Sequence, residues 1–241
     1  MNQNILILIP AYKPSQALTE LTKELSQRGF AVLCVDDGSG SDFDEIFDAA
    51  SEYARIIRYS VNRGKGGALK HGMEYILSSP DCAAITTVVT ADADGQHKTD
   101  DIEKTAHTAY RRGGFVTGVR RFTGKVPLRS RFGNSLTKLV FALASGKKLS
   151  DTQTGLRAMK KSDLPFHLSI PGERYEYEMN VLFAVVKSGV VFTEVPIETV
   201  YENNNESSHF HPIRDSVRIY KAIFSSKSMV KKLALPKGSV K

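Results

Sequence analysis

Two acidic residues that follow an apolar segment carry the chemistry needed to bind a divalent metal ion. Asp92 and Asp94 lie two residues apart, directly after an apolar segment that ends at Ala91, and Gln96 follows them. If the chain bends at Ala93, both carboxylates can reach one cation, and hard oxygen ligands suit Mg²⁺ or Mn²⁺. An isolated Asp-x-Asp-Gly is also a common turn. The motif alone therefore predicts either a metal site or a turn.

Two further polar motifs follow apolar segments closer to the N-terminus. Asp36 and Asp37 come after the second apolar segment, where they could contact a ligand or cap the next helix. Residues 62–67 form a basic turn with three glycines, whose backbone amides could cradle a phosphate. This turn matches neither the P-loop nor the dinucleotide-binding pattern, so a P-loop ATPase and a nicotinamide-dependent dehydrogenase are not supported.

The elements that must position these motifs alternate along the first half of the chain. Apolar segments of strand length are followed by segments with helical periodicity, which predicts an α/β fold with a mainly parallel, doubly wound sheet. The predicted strands span residues 4–9, 30–35, 55–59, 83–91, 114–118, 190–196 and 197–201, and the main predicted helices span 65–77, 100–110, 131–143 and 173–187. Ligands bind beyond the carboxyl ends of such strands. All the polar motifs should therefore open onto one edge of the sheet.

The predicted helix over residues 131–143 separates an apolar face from a polar one. The apolar face consists of Leu136, Leu139, Val140 and Leu143, and the polar face consists of Arg131, Asn134, Ser135 and Lys138. Such a polar face is either solvated or a cationic dock for phosphate, and three more arginines lie nearby in the sequence, namely Arg120, Arg121 and Arg129. A second helix carries Glu176 and Glu178 near its start, where acidic residues suit the positive end of the helix dipole; the alternative is that one of them acts as a base.

Composition and charge restrict the class of protein. The chain has 241 residues, of which 41% are hydrophobic and 24% charged, and no apolar segment reaches the length that crosses a bilayer. Cys34 and Cys82 lie inside apolar segments, which predicts reduced core residues of a cytosolic protein. Eight of the 33 Lys and Arg but only one of the 26 Asp and Glu lie in residues 210–241, so the rest of the chain is neutral. This distribution does not favour a nucleic-acid groove, and it predicts one domain over residues 1–212 with a basic segment over 213–241.

Taken in order, the motifs resemble those of the family 2 glycosyltransferases, which have the GT-A fold. They are Ile-Pro-Ala-Tyr, Val-Asp-Asp-Gly-Ser, Asn-Arg-Gly-Lys-Gly-Gly-Ala and Asp-Ala-Asp-Gly-Gln-His. The last two, with Ser-Asp-Thr-Gln-Thr-Gly-Leu-Arg-Ala at residues 150–158 and Glu-Val-Pro-Ile at 194–197, are similar more narrowly to dolichyl-phosphate mannose synthases and polyprenyl-phosphate sugar transferases. The resemblance covers roughly residues 5–220.

The resemblance implies a role for individual residues. Pro10, Ala11 and Tyr12 would border the base and ribose of a nucleotide sugar, with Asp36, Asp37 and Lys65 beside the base. Asp92, Asp94 and Gln96 would hold Mg²⁺ or Mn²⁺ against the donor diphosphate, so that Asp92 also contributes to donor binding. Arg120, Arg131 and Ser135 would receive the phosphate of a lipid acceptor; Asp94, Arg120 and Arg131 would be the catalytic residues. One departure from the family pattern is that Lys13, Pro14 and Ser15 stand where Asn-Glu usually follows the tyrosine.

The implied activity is metal-dependent, inverting transfer of a hexose, mannose or glucose, from a GDP- or UDP-sugar to dolichyl or undecaprenyl phosphate. Two alternatives are a transferase of the same fold with a hydroxyl acceptor on a cell-wall or surface glycan, and a non-catalytic nucleotide-sugar-binding module. The expected location is the cytoplasm, peripherally on the inner face of the membrane. Within residues 213–224 an apolar helical face adjoins a basic one. This pattern suits a lipid surface, a small membrane-protein partner or a solvated tail.

Overall fold

The computed structural model describes the backbone of residues 2–120 and 128–198, and the side chains of these residues apart from 128–136. The strands are β1 (Ile5–Ala11), β2 (Ala31–Asp37), β3 (Arg55–Tyr59), β4 (Thr87–Thr90), β5 (Phe115–Arg120), β6 (Arg157–Lys160) and β7 (Phe192–Ile197). The helices are α1 (Ala17–Gln27), α2 (Asp44–Ser51), α3 (Lys65–Ser78), α4 (Thr99–Arg112), α5 (Leu128–Ser145), α6 (Leu164–Ser169) and α7 (Tyr175–Ser188).

The strands form one sheet in the order β3-β2-β1-β4-β6-β5-β7. Within the described residues, β6 alone runs antiparallel to its neighbours, and the other strands point the same way. The predicted mainly parallel α/β sheet is therefore confirmed. β6 and α6 were not predicted from the sequence, and two strands were predicted over residues 190–201 where the structure has β7; residues 199–201 lie outside the described part of the chain.

Apolar residues cover both faces of this sheet. In β1, Leu6 and Leu8 pack into a core shared with α3, α6 and α7, whereas Ile5, Ile7 and Ile9 pack into a core shared with α1, α2 and α4. Because side chains alternate between the two faces of a strand, a strand buried on both faces needs an uninterrupted apolar run. Cys34 and Cys82 are buried and free, as predicted.

The register brings the ends of neighbouring strands to one edge of the sheet. Ala11 at the end of β1 pairs with Asp36 near the end of β2, and Leu8 of β1 pairs with Thr90 at the end of β4. The acidic residues that end β2 and those that follow β4 therefore lie on either side of the β1 terminus. This confirms the expectation that the polar motifs share an edge.

The apolar face predicted for α5 is wrong at two positions. Leu139 and Leu143 are 56% and 78% exposed, whereas Phe141 is fully buried and meets the ring of Phe183 in α7 edge-on. Burying a phenyl ring removes more apolar surface from water than either leucine offers, and Phe141 therefore determines which face of the helix turns inward. The side chains of Arg131, Asn134, Ser135 and Leu136 lie outside the described part.

No helix within residues 2–120 and 128–198 has the length and apolar character to span a membrane.

Candidate active site

The carboxylate of Asp37 fastens the turn between β3 and α3. It accepts hydrogen bonds from the hydroxyl of Tyr59 (2.6 Å), the amide of Asn62 (2.9 Å) and the backbone N–H groups of Arg63 (2.7 Å) and Gly64 (2.8 Å). Only 3% of Asp37 is exposed. Burial, together with the bond to Asp37, raises the pKa of the Tyr59 hydroxyl. Asp37 was predicted to lie beside the nucleotide base, but its carboxylate accepts hydrogen bonds from the protein itself.

The glycine-rich turn lets the first turns of α3 and α7 approach each other. A Cβ atom on Gly66 would lie 2.5 Å from the Cβ of Tyr177, and the N–H of Gly67 donates to the carbonyl of Glu173 at 2.7 Å. The phosphate cradle expected here is wrong for the amides of Arg63, Gly64 and Gly67, because protein acceptors hold all three. These glycines permit close contact between two helices.

This close contact brings Lys65 of α3 to Glu178 of α7. The Nζ atom of Lys65 lies 2.6 Å from Oδ1 of Asp92 and 2.9 Å from Oε2 of Glu178. Burial disfavours the charged amine, but the two carboxylates outweigh that effect and raise the pKa of Lys65. The structure therefore places Lys65 against Asp92, whereas the resemblance implied a position beside the base.

The contact of Glu178 with Lys65 was not predicted from the sequence, which favoured a role at the helix start and left a role as a base open. It lies among buried residues of α7, namely Tyr177, Met179, Asn180, Val181 and Leu182. A carboxylate buried among apolar neighbours needs a charged or hydrogen-bonding partner. This is the sequence feature that could have pointed to Glu178.

Asp92 is held from several sides. In addition to Lys65, Nε2 of His97 lies 3.2 Å from its Oδ2 atom. Burial disfavours the carboxylate, yet Lys65 and His97 hold the pKa of Asp92 well below its usual range. A Cβ atom on Gly155 would lie 2.5 Å from both carboxylate oxygens, and the carbonyl of Gly155 accepts a hydrogen bond from the hydroxyl of Thr90 at 2.7 Å. The position of this carboxylate is thus tightly defined.

Asp94 is the second carboxylate of the motif. Its Oδ1 atom accepts a hydrogen bond from the backbone N–H of Gln96 at 3.0 Å. Burial and the neighbouring charge of Asp92 raise the pKa of Asp94. A divalent cation would offset the electrostatic cost that these two effects impose.

The residues at the end of β4 fit Mg²⁺ or Mn²⁺. Within the described residues, no three His, Cys, Asp or Glu side chains are arranged as a complete metal site. Mg²⁺ sites that act on phosphorylated substrates, however, use one or two carboxylates and complete the shell with phosphate oxygens and water. Asp92 and Asp94 with the amide oxygen of Gln96 could supply the oxygen ligands that such a site needs.

The predicted acceptor residue Arg120 lies at the end of β5 in a bidentate ion pair. Its Nε and Nη2 atoms lie 2.6 and 3.0 Å from the two carboxylate oxygens of Asp151, which is fully buried. Burial works against the Asp151 carboxylate, but Arg120 outweighs it and lowers the pKa of Asp151. Arg131 and Ser135, the other predicted acceptor residues, have side chains outside the described part of the chain.

The predicted nucleotide-binding residues lie where β1 and β2 end. Pro10 and Ala11 end β1, and Tyr12 follows them with a half-buried side chain. The next residue, Lys13, has a φ of 50° in the left-handed region, and its N–H donates to the hydroxyl of Ser39 at 2.8 Å. The N–H of Ser39 in turn donates to the buried carboxylate of Asp36 at 2.9 Å. These two bonds tie the end of β1 to the end of β2.

The fold of this seven-stranded sheet and its helices is that of the GT-A glycosyltransferases. Glucosyl-3-phosphoglycerate synthase of Mycobacterium tuberculosis, solved with Mn²⁺, UDP and phosphoglyceric acid, superimposes with a TM-score of 0.68 at 14% identity. The superposition covers 96% of this chain and 80% of that one.

The sequence places the chain within that class. Residues 6–164 match the family model described as glycosyl transferase family 2, and the chain belongs to this family. An uncharacterized protein of Methanocaldococcus jannaschii is 30% identical over 91% of this chain and 90% of its own length. UDP-N-acetylglucosamine–dolichyl-phosphate N-acetylglucosaminyltransferase of Methanococcus voltae is 29% identical over 82% of this chain and 86% of its own. The protein is a glycosyltransferase that is similar to polyprenyl-phosphate sugar transferases, as the motifs predicted.

Proposed function

We propose that this enzyme transfers a hexosyl group, with inversion, from a nucleotide sugar to a polyprenyl phosphate, and that the reaction depends on Mg²⁺ or Mn²⁺. The relative from Methanococcus voltae, whose name specifies a UDP-sugar and dolichyl phosphate, supports both the donor class and the acceptor class. The Mn²⁺ and UDP bound in the structural neighbour support the same donor side.

The observation that carries the proposal is the pair of carboxylates after β4. Asp92 and Asp94 share one edge of the sheet with the ends of β1 and β2, where Tyr12 and Asp36 would border the nucleotide. Asp92, Asp94 and Gln96 would hold the cation, which when bound neutralises charge on the leaving diphosphate. Lys65 contacts the carboxylate of Asp92, and Asp37 would support that contact by fastening the turn before α3.

The acceptor side requires a cationic dock. A phosphate acceptor is already anionic, so the attack on the sugar needs no strong general base. Arg120, anchored by Asp151, would contribute positive charge at the end of β5, and Arg131 and Ser135 would complete the dock from α5. A hydroxyl acceptor would need a base. Glu178, the buried carboxylate near Asp92, is already paired with Lys65.

The membrane contact belongs to the same proposal. A polyprenyl phosphate lies in a bilayer, and residues 213–241, which lie outside the described part, carry the net positive charge of the chain. We assign them to the cytosolic surface of an anionic leaflet, where each basic residue contributes about 1 kcal/mol of attraction. Co-sedimentation with anionic vesicles that falls on deletion of residues 225–241 tests this assignment.

The decisive experiment measures release of nucleoside diphosphate from UDP-N-acetylglucosamine, UDP-glucose and GDP-mannose, each with and without a short-chain polyprenyl phosphate. We expect one donor to turn over only with the lipid phosphate and Mn²⁺ or Mg²⁺, and NMR of the product to show an inverted anomeric carbon. Turnover that needs a glycan hydroxyl and ignores the lipid phosphate would overturn the acceptor assignment.

Variants of the acidic motif test the metal assignment. Asp94→Asn should abolish metal-dependent transfer without unfolding the protein, because the residue lies beyond the end of β4 and outside the core. Gln96→Ala should cost less, since a neutral amide binds a dication more weakly than a carboxylate does. Asp81→Asn, which changes an exposed acid before β4, is the matched control. Wild-type turnover in Asp94→Asn would contradict the metal assignment.

A further inference from the structure

Lys65 contacts two carboxylates that come from different parts of the fold. Asp92 follows β4, whereas Glu178 lies in the first turn of α7, and both are within 2.9 Å of the same Nζ atom. We propose that Lys65 acts as a built-in counter-cation that occupies Asp92 when the metal is absent, and that Glu178 is a positioning residue that retains Lys65 when the metal binds. The inference rests on the proposed metal site at Asp92 and Asp94.

Charge is the first argument. Asp92, Asp94 and Glu178 bring three carboxylates to one partly buried region, and bringing like charges together in low dielectric is costly. The amine of Lys65, with 18% of its side chain exposed, lies between two of the three. It therefore performs the neutralisation that a bound dication would otherwise supply.

Competition is the second argument. Oδ1 of Asp92 contacts Lys65, and Oδ2 faces Nε2 of His97, so both oxygens of this carboxylate have partners. A cation that binds Asp92 has to share or displace one of these partners. Lys65 is the one with a second carboxylate available, because Glu178 is already 2.9 Å away.

The third argument is that the backbone of Glu178 is fixed whereas the side chain of Lys65 is adaptable. The carbonyl of Glu178 accepts a hydrogen bond from Nη1 of the buried Arg157 at 2.6 Å, and the contact between Gly66 and Tyr177 holds α7 against α3. The amine of Lys65, in contrast, ends a chain of four rotatable bonds. Metal binding therefore needs only a small shift of Lys65 towards a carboxylate whose backbone is held in place.

The test is titration of the full-length protein with Mn²⁺ alone, with free Mn²⁺ followed by electron paramagnetic resonance. Lys65→Met removes the competing cation and should tighten Mn²⁺ binding about tenfold, whereas Glu178→Gln leaves Lys65 on Asp92 and should weaken it about tenfold. A merely structural role would loosen the site and weaken binding in both variants. That result, or an unchanged affinity in both, would overturn the proposal.

The double variant shows whether Glu178 acts through Lys65. In the Lys65→Met background, Glu178→Gln should change the Mn²⁺ affinity by less than about twofold, because the coupling between contacting residues disappears with one of them. An undiminished tenfold effect would mean that Glu178 acts on the metal directly and would refute the positioning role. If Lys65→Met fails to fold, Glu178→Gln alone decides, since unchanged or tighter binding contradicts the proposal.

Matched controls and one further variant separate this inference from the proposed function. Lys70→Met removes a half-buried amine from the same helix, and Glu74→Gln removes an exposed carboxylate; neither should change Mn²⁺ binding. Wild-type Mn²⁺ binding in Asp94→Asn would refute the proposed metal site itself. Loss of binding in Asp94→Asn, together with weaker binding in both Lys65→Met and Glu178→Gln, would refute only the counter-cation.

Discussion

Gly155 offers the smallest perturbation of the proposed metal site, because an added methyl group would collide with Asp92. The Cβ atom of an alanine would lie 2.5 Å from each carboxylate oxygen, whereas ordinary contact begins near 3.4 Å. The backbone of Gly155 is outside the left-handed region, so alanine is conformationally allowed there. The carboxylate must therefore shift by about 1 Å, which stretches its 2.6 Å contact with Lys65.

A displacement of this size has a calculable kinetic consequence. Misplacing a reacting group by about 1 Å costs about 100-fold in rate, or about 2.7 kcal/mol of transition-state stabilisation. We expect Gly155→Ala to lower kcat/KM for the nucleotide sugar by this factor, measured as release of nucleoside diphosphate, and to weaken Mn²⁺ binding as well. Thermal unfolding of the same preparation verifies that the fold is intact.

Gly118→Ala is the control for simple overpacking. Its Cβ atom would lie 2.8 Å from Cδ1 of Ile197 in β7, and its three nearest atoms all belong to the apolar side chains of Ile197 and Leu156. This variant should lose about 1–3 kcal/mol of stability and keep the Mn²⁺ affinity of the wild type. Wild-type kcat/KM in Gly155→Ala would refute the reasoning. It would also be refuted if the loss of activity in each of the two variants were proportional to its loss of stability.

The remaining predictions concern stability. Asp37→Ala leaves the donors of Tyr59, Asn62 and the following turn without their acceptor, so it should lower the free energy of unfolding in urea by about 3 kcal/mol; unchanged stability would show that this carboxylate serves only the ligand. Burial, and secondarily the charge of Arg157, lowers the pKa of His167 to about 3. The unfolded chain then binds more protons than the folded one, so the free energy of unfolding falls as the pH is lowered. From about pH 6.5 to 4.5, the free energy of unfolding of the wild type should fall by about 2 kcal/mol more than that of His167→Phe. Parallel pH profiles of the two proteins would contradict this.

The parts of the fold that could be predicted are those with local causes. Uninterrupted apolar runs predicted β1 and β2, and the order of the polar motifs predicted which strand ends would meet. β6 was not predicted because it is only four residues long and contains Arg157 and Lys160, so it has no apolar run. The inward face of α5 was predicted wrongly because three leucines fit the helical period, whereas the contact that orients the helix is that of Phe141 with Phe183 in α7.

The site was predictable as a set of residue types but not as a set of contacts. Asp92 and Asp94 stand out because acids directly follow an apolar strand. The pairing of Lys65 with Glu178 depends on two helices meeting at Gly66, and no local pattern encodes that meeting. The bidentate pair of Arg120 with Asp151 likewise joins positions that only the folded sheet brings together.

Residues 151–155, which are separated from β6 by one residue, connect the two sides of the proposed reaction. Asp151, at one end of this segment, fixes Arg120 at the end of β5, and Gly155, at the other end, packs against Asp92 beyond β4. The antiparallel β6 lies between β4 and β5, so the ends of those two strands are about 10 Å apart, which is twice the spacing of neighbouring strands. The hydroxyl of Thr90 anchors Gly155 to β4. This short segment therefore links the carboxylate of Asp92 to the guanidinium of Arg120, the two groups that we propose to act on the donor side and on the acceptor side.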